Sequence, residues 1–104
     1  MSEIDSKLDE LLDINTDIKE KTEVVKLPAR AENIETDYRY ARENLYGLVE
    51  RGQDAIEGIL ELSKETEHPR AYEVAGQLIK TVGETAEKLI DLQSKLKKLE
   101  GEEQ

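Results

Sequence analysis

The sequence predicts an all-α protein: a long antiparallel helical hairpin, preceded by a short N-terminal amphipathic helix, whose copies assemble into a ring. Two observations carry the helices. Apolar residues recur at alternating steps of three and four over two blocks of similar length, and a single proline, Pro69, separates the blocks. A third observation carries folding itself: Ile, Leu and Val number 8, 13 and 5 of 104 residues, above the level at which a charged chain stays disordered. Phe, Trp and Cys are absent, so Tyr38, Tyr40, Tyr46 and Tyr72 are the aromatic anchors, and a disulfide framework or thiolate zinc site is excluded.

Residues 1–35 read as an acidic arm and linker. Ser2 opens a short amphipathic helix that sets Ile4, Leu8, Leu11, Leu12 and Ile18 among Glu3, Asp5, Asp9, Glu10 and Asp13. Residues 15–34 show no clear period and read as a linker that can dock Val24, Val25, Leu27 and Ile34, with Pro28 marking a joint. Residues 36–100 form the hairpin and oligomerisation domain, and 101–104 a C-terminal tail.

The first hairpin helix starts at Thr36 or Asp37, either of which can cap the leading amides. Its seam is Tyr38, Ala41, Leu45, Leu48, Gly52, Ala55, Ile59 and Leu62. A second stripe, Tyr46, Val49, Gln53, Ile56 and Leu60, lies beside the seam and leaves Glu43, Glu50, Asp54, Glu57 and Glu61 for solvent. Glu67-His68-Pro69 reads as a tight turn, because proline suits a helix's first turn and biases its predecessor out of the helical region. The second helix takes Tyr72, Ala75, Ile79, Val82, Ala86, Leu89, Gln93 and Leu96 as its seam and Ala71, Leu78, Thr85, Leu92 and Leu99 as its flank. Lys95, Lys97 and Lys98 complement its negative end, and Gly101 suits its exit. Each helix is roughly 45 Å long at ~1.5 Å per residue, and matched lengths across so short a turn imply antiparallel packing.

Gly47, Gly52, Gly58, Gly76 and Gly83 fall inside these helices, where each costs up to about 1 kcal/mol relative to alanine. At Gly52, on the seam, the glycine either permits close helix approach or is simply tolerated.

Two apolar stripes on each helix require more partners than one hairpin and a short helix provide, so self-association is expected. Tyr46, Val49, Ile56, Leu60, Leu78, Leu92 and Leu99 are the expected oligomer interface. Unlike stripes meeting between neighbours make a heterologous contact, which closes into a ring when the rotation permits.

Enzyme chemistry has little to stand on. His68 is the single histidine and sits in the turn, and the carboxylates fall on outer helix faces. No Gly-rich phosphate loop and no converging metal ligands stand out, so neither catalytic nor cofactor nor metal residues are assigned. The formal charge of -10 opposes unspecific coating of DNA, and DNA contact, where it occurs, falls to Lys95, Lys97 and Lys98. The face of Ile4, Leu8, Leu11 and Leu12 is the kind of amphipathic helix that lies in a partner's groove. No apolar run approaches the ~20 residues of a membrane span and no signal peptide opens the chain, so an intracellular, membrane-free protein is expected.

The segment Asp37-Tyr38-Arg39-Tyr40-Ala41-Arg42-Glu43-Asn44, the dipeptide Asp54-Ala55, and Pro69-Arg70-Ala71-Tyr72-Glu73-Val74 with Leu78 form the pattern D-Y-x3-R-x-N, D-A, P-R-x2-E-V-x3-L. This resembles the central region of the DNA-packaging terminase small subunits of T-even-like tailed phages. It fits without a gap from Asp37 to Leu78, and Leu11-Leu12-Asp13-Ile14 resembles the family's N-terminal segment more loosely. The resemblance implies a non-enzymatic homo-oligomeric ring in the host cell cytoplasm, which takes part in viral DNA recognition and regulates the large subunit's ATPase and nuclease. It also implies the terminase large subunit and viral double-stranded DNA as partners; the apolar face of Ile4, Leu8, Leu11 and Leu12 suits either docking to that large subunit or packing on its own ring, and the charge of -10 makes the DNA a weakly bound partner. The short acidic arm departs from small terminases that carry an N-terminal helix-turn-helix. The rival reading is a generic helical oligomeric adaptor or chaperone without a nucleic-acid role.

Overall fold

Helices account for nearly all of the chain that the computed structural model describes, which is residues 3–26, 34–65 and 67–103, the last two by backbone alone. They are α1 (Glu3–Val24), α2 (Ile34–Glu65) and α3 (Pro69–Glu103). The readings placed on Ser2, Leu27 and Pro28 lie outside the described residues.

The α2 seam appears as expected. Ala41, Leu45, Leu48, Gly52, Ala55 and Ile59 are all buried. Ala41 and Leu45 pack with Leu92, whereas Ala55 and Ile59 pack with Ala71, Val74 and Leu78. Low numbers on α2 thus meet high numbers on α3, so the two helices lie antiparallel as a hairpin-like pair. Their turn is closed by the Ala71 amide donating to the His68 carbonyl at 2.9 Å, directly after Pro69 opens α3.

At Gly52 the pair is at its tightest. A Cβ there would collide with Cγ2 of Val82 and stand 3.6 Å from Cδ1 of Ile18, so α1, α2 and α3 converge on the missing side chain. The other five glycines have nothing within 4 Å of such a Cβ. Close packing, not tolerance, explains Gly52.

Three expectations are corrected. First, α1 continues to Val24 where a linker was expected from residue 15. Its buried line is Leu8, Leu11, Asn15, Ile18 and Thr22, a perfect alternation of three and four in which two positions are polar and therefore carry no hydropathy signal. Second, the buried line of α3 is Ala71, Val74, Leu78, Thr81, Thr85, Leu92 and Leu99, while Tyr72 and Ile79 of the expected seam are exposed. Both stripes keep the helical spacing, and the one through Tyr72 and Ile79, about 100° around the helix from that through Ala71 and Leu78, is the unbroken run of three-and-four steps, so spacing alone favours it. Third, α2 starts at Ile34, which puts Thr36 and Asp37 inside its first turn, and Gly101 lies within α3 instead of ending it.

α1 runs parallel to α3 and antiparallel to α2, filling the groove between them: Asp9 reaches Arg70 near the turn, and Thr22 meets Thr85 further along. Being 22 residues long against 32 and 35, it stops short and leaves α2 and α3 as a two-helix extension, where Val25, Tyr38 and Leu89 surround the Ala41, Leu45 and Leu92 cluster. The result is a rod of 59 × 17 × 14 Å with a radius of gyration of 17.0 Å. A compact domain of this length has a radius near ~13 Å, so much surface remains beside the core.

Gly52→Ala should therefore destabilise the fold by about 1–3 kcal/mol despite alanine's better helix propensity, because the stiff Val82 side chain cannot yield without separating the helices. Urea unfolding followed by circular dichroism checks this; an unchanged midpoint would contradict the close approach.

Candidate oligomerisation face

One face of the pair has no cover among the described residues. Arg51 of α2 and Arg70 and Lys88 of α3 all bond to α1 and so mark the side on which α1 lies. Leu60 is nine residues from Arg51, and Ile79 is nine from both Arg70 and Lys88. Nine residues make about two and a half turns, so Leu60 and Ile79 point the opposite way. The exposures agree: Leu60 is 53 % exposed, Tyr72 60 %, Ile79 59 % and Ile90 61 %, with Tyr46 at 39 %. Val49, Ile56, Ala75, Val82 and Ala86 are half-buried between them. Near the turn this face opens into a groove with Leu60, Tyr72 and Gly58 among its lining and Asp54, Glu57, Glu61 and Lys64 around it. A strip of large apolar side chains on neighbouring helices, rimmed by charge, marks an interaction surface.

The expected interface residues divide accordingly. Tyr46, Val49 and Leu60 lie on the uncovered face, and Ile56 is half-buried against the core. Leu78, Leu92 and Leu99 do not: they are buried between the chain's own helices, with no area left for a neighbour. Tyr72, Ile79 and Ile90 take their place. Tyr72 and Ile79 were in the sequence pattern, assigned to the seam, and only the rotation of α3 separates the two assignments.

The docking face expected of the arm is likewise used internally. Leu8 and Leu11 are buried against Ala55, Ile59, Ala71, Val74 and Leu78, with Ile4 and Leu12 half-buried beside them. Helices in proteins gain most of their stability from packing an amphipathic face, and here the apolar face of α1 fills the pair's groove.

The seat of α1 combines that apolar patch with polar contacts. Thr22 and Thr85 hydroxyls stand 2.8 Å apart, each also near the carbonyl four residues before it, Ile18 at 2.8 Å and Thr81 at 3.0 Å. Two hydroxyl hydrogens thus serve three short contacts. Lys88 Nζ donates to the carbonyls of Thr22 at 2.6 Å and Glu23 at 3.2 Å, satisfying groups that the end of α1 leaves open. Asn15 Oδ1 is buried without a hydrogen-bond partner, as is His68 Nδ1. Around the rim, Asp17 pairs with Arg51 and, at 3.0 Å, with Lys21, while Arg70 bridges Asp9 and Asp5. His68 Nε2 lies 3.9 Å from the same Asp5.

The basic residues gather at the far end. Because Leu92 sits level with Ala41 and Leu45, the antiparallel pairing brings exposed Lys95, Lys97 and Lys98 alongside Arg39 and Arg42, which are distant in sequence. Glu35, Asp37, Glu43, Asp91 and Glu100 share that end, and α3 closes on Glu102 and Glu103, so the basic residues stand among at least as many acidic ones. The Arg42 guanidinium lies 4.8 Å from the Tyr46 ring centroid, a cation–π contact at the edge of the uncovered face.

Among the described residues, no group of three or more His, Cys, Asp or Glu is placed to hold a metal ion, and no helix is long and apolar enough to cross a membrane. What the fold and surface define is an all-helical protein with a covered groove on one side and an uncovered apolar face on the other. Comparison with protein-family models, with curated proteins and with solved structures found no match.

Hydrogen bonds from Arg51 and then Lys21 hold the Asp17 carboxyl below the usual carboxylate range. A depressed folded-state pKa contributes stability that is present above the unfolded value of about 4 and is lost as pH falls through the folded value. Thermal melts between neutral pH and pH 2 should show this loss below pH ~4. The loss should be shallower in Asp17→Asn, and identical acid limbs in both chains would refute the role of this pair.

Proposed function

We propose that this chain is a ring-forming, non-enzymatic small subunit of a viral genome-packaging terminase, acting in the host cell cytoplasm through its own assembly, the large subunit and, weakly, double-stranded DNA. The observation that carries the assembly is the uncovered face of Tyr46, Leu60, Tyr72, Ile79 and Ile90. A single chain gains nothing from keeping such bulk in water, since each large apolar side chain is worth ~1.5–3 kcal/mol on full burial. What directs the reading to terminases is the resemblance of residues 37–78 to that family's central pattern. Several of its positions have structural work in this fold: Ala55, Val74 and Leu78 build the core, and Pro69 starts α3.

The assembly comes first. Light scattering at micromolar concentration should give an oligomer, and Leu60→Asp with Ile79→Asp should dissociate it with helicity retained, because both side chains already face solvent in one copy. A wild-type monomer would sink the reading. Mixed with a terminase large subunit of the T-even-like kind, the assembled chain should change its ATPase rate. A generic helical adaptor would assemble and leave that rate unchanged.

DNA binding should be weak and steeply salt-dependent, since five basic residues at one end stand among at least as many acidic ones. Replacing Lys95, Lys97 and Lys98 by Gln should lower the magnitude of the slope of log K against log salt. An unaltered slope would return these lysines to complementing the negative end of α3.

A further inference from the structure

The uncovered face poses a problem of symmetry. It lies on one side of the pair, so two copies can bury it by facing each other, and such isologous contact closes at two. A larger ring needs unlike surfaces in contact, and burying the whole of this face at each contact takes a second, different surface that accepts it. The outward residues of α1, such as Glu10, Asp13 and Glu20, are charged and exposed, so the back of the molecule as it stands is a poor acceptor.

We infer that the acceptor is the groove now filled by α1, and that α1 is a removable plug which a neighbour's uncovered face displaces during assembly; the inference rests on the self-association proposed above. Three observations point to this occupant. The groove is apolar: Ala55, Ile59, Ala71, Val74 and Leu78 form its floor, and stripping α1 away leaves a surface matched in kind to Leu60, Tyr72 and Ile79. The charges are complementary in balance, because the groove's rim carries Arg51, Arg70 and Lys88, whereas Glu50, Asp54, Glu57 and Glu61 outnumber Arg42 and Lys64 along the α2 side of the uncovered face. A neighbour can therefore take over the cations that α1 now satisfies with Asp17, Asp9 and its terminal carbonyls. The seat itself is imperfect. Asn15 Oδ1 is buried with no partner, and the buried line of α1 is two-fifths polar where that of α2 is apolar throughout apart from Gly52. With α1 lifted, face meets groove, each copy presents both, and the contact is heterologous, as ring closure demands.

The chain contains no cysteine, which allows a clean lock. Thr22 and Thr85 hydroxyls lie 2.8 Å apart, within the reach of a disulfide between cysteines at those positions. In Thr22→Cys with Thr85→Cys, oxidation should pin α1 in its groove and arrest the full chain at monomer or dimer, and reduction should restore the larger assembly. A second variant, Leu8→Asp with Leu11→Asp, unseats α1 without touching the uncovered face. It should lower the concentration at half-assembly by about tenfold or more, because the competent fraction no longer has to be won from the plugged state. If the oxidised lock assembles to the same size as the reduced chain, or if unseating α1 leaves the threshold unchanged or raises it, α1 is no plug. Those results, obtained with an assembling wild type, overturn this inference and leave the terminase reading standing. A lock that controls assembly in a chain without effect on any large subunit's ATPase would do the reverse.

Discussion

The approach of α2 to α3 at Gly52 fixes the geometry on which the rest of the molecule depends. The Val82 methyl occupies the space that any other residue's Cβ would need, and helix separation follows directly from the side chains at the contact. Once Gly52 and Val82 are level, the antiparallel rise places Ala41 and Leu45 against Leu92 and Ala55 and Ile59 against Val74 and Leu78. Ile18 of α1 closes over the same point, with its Cδ1 3.6 Å from where a Cβ on Gly52 would stand. Register, groove and the direction of the uncovered face are consequences of one absent side chain.

Which parts of this were legible in the sequence follows from where polar residues sit. The α2 seam could be read residue by residue, because Tyr38, Ala41, Leu45, Leu48, Ala55, Ile59 and Leu62 are apolar and only Gly52 interrupts them. On α3 the buried line includes Thr81 and Thr85 while bulky Tyr72 and Ile79 face water, so hydropathy rotates the apparent seam by about one residue. That single rotation also explains why Leu78, Leu92 and Leu99, expected at an interface, are buried within the chain, while Tyr72, Ile79 and Ile90 are exposed. The second half of α1 was invisible for a related reason. Asn15 and Thr22 hold seam positions on the strength of tertiary contacts that no local pattern announces.

Polar residues on a buried seam have a second consequence. Between α2 and α3 the contact is apolar, so separating them loses hydrophobic burial with little recovered from water. Around α1, separation hydrates Asn15, Thr22, Thr85 and the Asp17, Arg51, Asp9 and Arg70 charges, so water returns part of what is lost. Stability is thus graded within one small fold. On the plug proposal α1, although it buries Leu8, Leu11 and Ile18, is the element that opens first, as segments that rearrange in function generally do.

The charge distribution acquires meaning only when copies are repeated. One chain places Arg39, Arg42, Lys95, Lys97 and Lys98 at the end remote from the turn, where at least as many carboxylates leave little net attraction for phosphate. Towards the turn, Asp54, Glu57, Glu61, Glu65 and Glu73 outnumber Lys64 and Arg70, and that end repels a polyanion. In the proposed ring every copy holds these groups at the same height, so one rim becomes an acidic belt and the other a circle of lysines and arginines at regular spacing. Flexible Lys and Arg side chains can then be recruited from several copies at once, and the effective concentration supplied by the neighbours replaces the affinity each copy lacks. On that proposal a duplex would meet the ring at one rim, and the rod's charge polarity would give the assembly a direction relative to DNA without a sequence-reading element in the arm.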